Sequence, residues 1–255
     1  MTTALITGAS SGIGLAFAER LAAEHHNLIL VARNRDRLER VAAVLSSSHG
    51  VNVDVLDIDL SHRDQVDLVG DRLSDSNNSV DFLVNNAGFG IRESFIGGNL
   101  DAEQQMIDVM VTATMRLSHA VLPGMVKRNS GAVINISSIA GWMTSGTYSA
   151  AKAWVTTFTE GLSHELAGTG VSATAVCPGL THTEFHSRAE MDVSNAPDWL
   201  WLDVNEVVDR ALHDSRRGRP ISVAGRHYQA ISLPIRYWRA AQRRAEGALR
   251  ARVMD

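Results

Sequence analysis

Tyr148 and Lys152 stand four residues apart in Tyr148-Ser-Ala-Ala-Lys152, which puts a phenol and an ammonium on one face of a helix. A free tyrosine titrates near about 10, too high to exchange protons efficiently at neutrality. A neighbouring ammonium favours the phenolate and is expected to lower that value. Ten residues before the tyrosine, Ser138 sits in Ile136-Ser137-Ser138-Ile139-Ala140-Gly141, just past a strand-like run. A hydroxyl at the carboxyl end of a parallel strand faces the crevice where ligands bind. The three groups suit carbonyl reduction: a serine polarises the oxygen, a tyrosine gives the proton and a lysine tunes the tyrosine. Tyr-x-x-x-Lys alone recurs by chance, so its weight comes from its company.

A second candidate site opens the chain. Thr7-Gly8-Ala9-Ser10-Ser11-Gly12-Ile13-Gly14 runs from a strand-like segment straight into a helical one. Glycines permit a turn that aims several backbone N–H groups at a phosphate, and the helix N-terminus adds its partial positive charge. A pyrophosphate would lie over Gly12–Gly14, with Ser10 and Ser11 offering hydroxyls. The spacing is G-x-x-x-G-x-G rather than the G-x-G-x-x-G of the standard dinucleotide fingerprint. The next strand ends Val31-Ala32-Arg33-Asn34-Arg35, with no Asp or Glu at its tip. A carboxylate there would bind the ribose of NAD, whereas Arg33 suits the 2′-phosphate of NADP. NADP(H) is therefore expected. Arg35 and Arg37 read as helix-surface charges, with Arg35 able to assist.

These groups need a scaffold. Short β-branched runs at Ala4–Thr7, Leu28–Ala32, Val51–Asp57, Asp81–Asn85, Gly131–Ser137, Val171–Cys177 and Ile221–Ala224 read as strands buried on both faces. Helical stretches are expected near 12–24, 34–48, 62–74, 101–128, 148–168 and 204–216. The alternation predicts a doubly wound parallel sheet, Rossmann-like, with helices on both faces, in a single domain over residues 1–255. Composition agrees: 45% hydrophobic and 20% charged residues can fill a large core, and a net charge of −4 argues against a nucleic-acid surface. The single cysteine, Cys177, excludes an internal disulfide and a cysteine-rich zinc site. No apolar run reaches the roughly 18–20 residues that span a bilayer, and no leader is evident, so a cytoplasmic location is expected. Two regions leave the rhythm. Residues 180–203 lack a period and read as a substrate lid. The extension 234–255 carries six arginines against one glutamate before Asp255, a basic face that reads as solvated.

Taken together, TGASSGIG at 7–14, NNAG at 85–88, ISS at 136–138, YSAAK at 148–152 and CPGLTHT at 177–183 resemble the short-chain dehydrogenase/reductase family, compact single-domain branch. The resemblance covers nearly all of residues 1–225. It implies that Gly8, Ser10, Ser11, Gly12, Ile13 and Gly14 hold the adenosine side and pyrophosphate, with Arg33 on the 2′-phosphate. Asp59, followed by Leu60, matches the position that meets the adenine amino group. Asn86, Ala87 and Gly88 would line the cofactor groove, and Pro178, Gly179, Thr181 and Thr183 would hold the nicotinamide carboxamide. Tyr148 would be general acid in reduction and general base in oxidation. Lys152 would also bond the nicotinamide ribose, and Ser138 would orient the substrate carbonyl; Ser137 is a second choice. The resemblance further implies a homodimer or homotetramer built through the long helices.

The chain departs from the family pattern in two places. Met110, in Val109-Met110-Val111-Thr112, stands where an asparagine usually completes a catalytic tetrad, and a thioether cannot replace an amide. The segment from Ser138 to Tyr148 is also about three residues short of the usual length. His182, Glu184 and His186 have metal-like spacing, but the family pattern accounts for that stretch and no metal is expected. Cys177 reads as a small buried hydrophobe. Phe89, Trp142, Met143, Trp199 and Trp201 would converge on the substrate side, favouring an apolar carbonyl, unless the tryptophans serve as core or subunit-contact residues. The expected activity is NADPH-preferring transfer of hydride between nicotinamide and a ketone, aldehyde or secondary alcohol. One alternative is an NADP(H)-binding sensor or scaffold with little turnover, motivated by Met110. Another is a membrane-surface or acidic-partner protein using the arginine-rich extension.

Overall fold

Seven strands form the scaffold: β1 (Thr3–Thr7), β2 (Asn27–Ala32), β3 (Val53–Asp57), β4 (Phe82–Asn85), β5 (Gly131–Ile136), β6 (Val171–Val176) and β7 (Ile221–Ser222). They lie side by side in the order β3-β2-β1-β4-β5-β6-β7, with every pairing parallel. The structure is a computed structural model that describes residues 2–91, 93–185, 196–235 and 238. All seven expected strands are present, trimmed at some ends. The helices are α1 (Gly12–Ala23), α2 (Arg35–His49), α3 (Arg63–Ser74), α4 (Leu100–Ile107), α5 (Thr114–Arg128), α6 (Gly146–Glu165) and α7 (Val204–Arg216).

Strand periodicity divides the core. Ala4 and Ile6 of β1 pack with Phe17 and Leu21 of α1, Leu38 of α2 and Val207 of α7. Leu5, between them, points to the opposite face and packs with Val66 and Val69 of α3 and Leu117 and Val121 of α5. Alternate residues of a strand face opposite sides, so a strand covered on both faces must be apolar throughout. That is why these strands read as short continuous apolar runs.

The stretch expected as one helix over 101–128 is interrupted. Asp108–Ala113 winds as a π-helix between α4 and α5, and Met110 lies within it. A π turn inserts one extra residue per hydrogen-bonded ring, so side chains after it face a new direction. Leu100–Arg128 as a whole is long and apolar enough to cross a membrane by length and composition. Leu117, Val121 and Met125 of that stretch are buried in the core beside α3. Residues 226–235 are also helical, beyond the last expected element.

A polar ladder crosses the sheet centre. Asn85 Nδ2 donates to Asn135 Oδ1 at 2.8 Å and to Ser118 Oγ at 3.2 Å, while Asn135 Nδ2 donates to Thr159 Oγ1 at 2.9 Å. It joins α5, β4, β5 and α6 through buried groups. Asn135→Ala is expected to cost about 2–4 kcal/mol, because Asn85 and Thr159 both lose a buried partner. Urea unfolding at an unchanged m-value measures the loss.

Candidate active site

Strand order reverses between β1 and β4, and ligands bind at the carboxyl ends of strands beside such a reversal. A cleft of about 860 Å³ lies there. Every residue expected at the cofactor or catalytic sites lines it, from Gly8 through Thr183, apart from Gly14. Gly14 works from behind: a Cβ on it would stand 2.4 Å from both the Gly8 carbonyl oxygen and Asn86 Nδ2. Only a glycine lets α1 lie so close beneath the loop. Asn86 Nδ2 in turn donates to the carbonyls of Thr7 (2.9 Å) and Gly8 (3.2 Å). Thr7 Oγ1 accepts from the amides of Asn86 (2.9 Å) and Ala87 (3.0 Å), so the ends of β1 and β4 are fastened together.

Gly12 takes φ +55°, which favours glycine, and starts α1. Ser11 at the N-cap makes no side-chain capping bond. The first-turn amides of a helix need a partner, and Ser11, Gly12 and Ile13 line the cleft. This donor set and the crowding at Gly14 fit the pyrophosphate of a dinucleotide.

At the tip of β2, Arg33 is 73% exposed, with Nη1 3.9 Å from Asp59 Oδ2. Burial works against ionisation of Asp59, but the amide and hydroxyl of Ser61 and the charge of Arg33 outweigh it and hold the carboxyl below its ordinary pKa. Arg35 is engaged elsewhere, donating to Glu39 at 2.8 Å and to Asp57 at 3.3 Å. The second arginine in the cleft at this end is Arg37, which lines it and pairs with Glu184. Arg35 and Arg37 are two residues apart on α2, about half a turn, so they leave the helix on different sides, a distinction that charge alone does not reveal.

Tyr148 lies in the first turn of α6 and Lys152 one turn later. Lys152 Nζ donates to the Ile136 carbonyl at 2.8 Å and stands 5.7 Å from the centre of the Tyr148 ring. Ser138 Oγ accepts from the Ala140 amide at 3.1 Å, and its hydroxyl is near enough to Tyr148 to favour the phenolate. Ser137 is committed otherwise: its buried hydroxyl donates to the Lys152 carbonyl at 2.7 Å and lies 2.7 Å from Thr156 Oγ1. Of the two serines, Ser138 is the one beside Tyr148.

The expectation of an acidified tyrosine is corrected. Burial pushes the Tyr148 phenol up to about 12, with only the Ser138 hydroxyl opposing it. Burial also brings Lys152 down to about 8, against the influence of Cys177. An ammonium 5.7 Å from the ring does not offset removal of the phenol from water.

A family model described as short chain dehydrogenase matches residues 2–193. The chain belongs to the short-chain dehydrogenase/reductase family. Among other family members, an oxidoreductase of Staphylococcus saprophyticus is 34% identical over 226 residues, covering 86% of this chain and 93% of the relative. The structure of a short-chain dehydrogenase from Sphingobium yanoikuyae in complex with NADPH superposes with a TM-score of 0.86 at 35% identity, covering 98% of this chain and 95% of that one. A bulky-bulky ketone specific alcohol dehydrogenase from Comamonas testosteroni superposes at 0.80 with 31% identity, covering 94% of each chain.

For a short-chain dehydrogenase, the substrate end differs from expectation. Phe89 and Met143 line the cleft, but Trp142 packs against the core on the α1 face, and its indole N–H is buried without a partner. The short 3-10 turn Ile139–Trp142 sends these two neighbours opposite ways. Trp199 is 61% exposed and meets His227 edge-on, and Trp201 stacks on His182 at 4.8 Å; neither lines the cleft. Phe185 takes their place, its ring 5.8 Å from that of Tyr148. Tyr228 was not visible from motifs: its hydroxyl accepts from the Leu180 amide at 3.1 Å and donates to the Leu200 carbonyl at 3.0 Å, anchoring both ends of the segment expected as a lid. Residues 186–195 of that segment, and all of the arginine-rich extension after 235 except Trp238, lie outside the described residues.

His182 is stacked and Glu184 is paired with Arg37, while His186, the third of the metal-like set, is outside the described residues. Met110 is buried and does not reach the cleft lining. It packs with Met106, Ala151 and Tyr148, and its sulfur lies 3.1 Å from where a Gly88 Cβ would stand. Cys177 is fully buried, with Thr156 Oγ1 at 3.9 Å.

Proposed function

We propose that this short-chain dehydrogenase uses NADP(H) to interconvert a bulky apolar ketone and its secondary alcohol, working chiefly as a reductase. The observation that carries this reading is the division of the cleft. Apart from Lys152, its charged lining residues are Arg33, Arg37, Asp59 and Glu184, tied to the β2–β3 end by their pairings. The rest of the cleft carries Phe89, Val109, Met143 and Phe185, with Gln105 and the serines among its uncharged polar groups. Among the described residues a charged substrate would find no charged partner there except the lysine, whereas an apolar ketone gains from losing contact with water. The NADPH complex of the Sphingobium relative and the bulky-ketone specificity of the Comamonas relative support the same reading.

Ser10, Ser11 and the first turn of α1 would hold the pyrophosphate, Arg33 the 2′-phosphate, and Lys152 the ribose next to the nicotinamide. Bound in this way, NADP(H) supplies or accepts the hydride. Ser138 would turn its hydroxyl from Tyr148 to the substrate oxygen and draw electron density away from the carbonyl carbon. Tyr148 Oη would give that oxygen its proton. A phenol held near 12 stays protonated at neutrality, which suits it as an acid in reduction more than as a base in oxidation. The positive charge of Lys152 would stabilise the phenolate left behind.

NADPH consumption across aldehydes, small ketones, bulky aryl ketones and ring ketones tests the proposal. Bulky ketones are expected to turn over fastest, and Tyr148→Phe should lower kcat by about 10²–10⁴ with NADPH still bound. Consumption that survives Tyr148→Phe would overturn the role given to the tyrosine.

A further inference from the structure

Three consecutive residues after β6 touch three separate parts of the cleft. Thr183 Cβ lies 3.3 Å from where a Cβ on Gly12 would stand, against the phosphate loop. Glu184 reaches α2, where its carboxylate accepts two parallel bonds from Arg37, at 2.5 and 3.1 Å. Phe185 lays its ring beside Tyr148. The pair Arg37–Glu184 joins positions 147 residues apart across the mouth of the site. Arg37 lies in the first turn of α2, four residues after Arg33, and its amide donates at 2.9 Å to the Asn34 side chain that caps the helix. A guanidinium on the first turn of α2, lining the same end of the cleft as Arg33, is therefore held by a carboxylate carried on the segment after β6.

We propose that Glu184 is a specificity-determining residue: its carboxylate occupies the guanidinium that a 2′-phosphate would take, so phosphorylated dinucleotides release residues 183–185 and unphosphorylated ones do not. This rests on the NADP(H) reading of the same cleft. A carboxylate and a phosphate both meet guanidinium with paired hydrogen bonds, and the phosphate carries the larger charge. A ligand shifts an equilibrium only by its differential affinity for the two states. A dinucleotide without the 2′-phosphate has nothing to offer Arg37 and leaves Glu184 in place. Phe185 adjoins Glu184, so the exchange at Arg37 also changes what covers Tyr148. Phosphate binding at one end and ketone binding at the other are then linked, reciprocally.

Adenosine 2′,5′-bisphosphate and adenosine 5′-monophosphate differ only in the 2′-phosphate, so calorimetric titration with each isolates the contact. The wild-type protein is expected to prefer the bisphosphate. Glu184→Gln removes the competing charge and should tighten the bisphosphate about threefold to tenfold while moving the monophosphate less than about twofold. Glu184→Asp, which keeps the charge, should fall nearer the wild type. If the wild type prefers the bisphosphate and Glu184→Gln leaves that preference unchanged, or tightens both ligands alike, the role of Glu184 is overturned and the NADP(H) reading stands. If the wild type shows no preference, both fall.

Discussion

Lys152→Met is expected to give a protein that resists unfolding better than the wild type and has lost nearly all activity. The ammonium is 5% exposed, and burial takes its pKa from 10.5 to about 8. Below pH 8 the folded chain therefore holds a charge that would be better solvated unfolded, at a cost of about 3 kcal/mol. The sign follows from proton counting. Between about pH 8 and 10.5 the unfolded chain binds the proton and the folded one does not, so wild-type stability gains from this residue as pH rises. Methionine removes the penalty but leaves the Ile136 carbonyl without its donor at 2.8 Å, which costs about 1 kcal/mol. A net gain of about 1–3 kcal/mol at pH 6, closing as pH rises through that window, is the expected pattern in denaturant titrations. A variant less stable than wild type at pH 6 would contradict it. Activity should fall by at least about 10², since no other cation lies beside Tyr148 among the described lining residues. In the wild type, the same titration predicts reduction rates that hold below pH 8 and decline above it, as Lys152 loses its charge while Tyr148 keeps its proton.

Arg33→Glu should invert cofactor preference. The arginine is largely exposed at the tip of β2 with Asp59 beside it, so its replacement leaves the core untouched. A carboxylate there repels a 2′-phosphate and can accept from ribose hydroxyls. Loss of a charge-assisted bond together with the new repulsion should weaken NADPH by about 10² and strengthen NADH, as read by quenching of nicotinamide fluorescence. Equal losses for both cofactors would place the 2′-phosphate elsewhere.

Much of this was legible in the residues. The strands could be seen because burial on both faces leaves continuous apolar runs, and α7 occupies the expected 204–216 because Asp203 caps it through the Asn205 amide. The grouping of Ser138, Tyr148 and Lys152 in one cleft is suggested by strand ends and helical spacing and strengthened by the accompanying family motifs. What was hidden depends on direction rather than identity. Trp142 and Met143 are neighbours of similar character, and only the turn that carries them sends one into the core and one into the cleft. The π turn at Asp108–Ala113 has no signature in an apolar stretch that reads as ordinary helix. Tyr228 and the Arg37–Glu184 pair are long-range contacts with no local pattern, and the raised pKa of Tyr148 reflects burial that spacing cannot report.

The asparagine ladder also governs the order in which the molecule comes apart. Thr159, at its end, lies two turns of α6 beyond Lys152, and Asn135 lies one residue before Ile136, whose carbonyl holds the lysine. Detaching α6 would expose unpaired amides at the centre of the sheet, so the helix carrying Tyr148 and Lys152 is expected to be among the last parts of the fold to open. The segment over residues 180–185, attached through Tyr228 and Arg37, can open without disturbing that ladder. Ligand traffic and heat inactivation then draw on different reserves of stability. Hydrogen exchange is therefore expected to be faster in residues 180–185 than in the middle of α6.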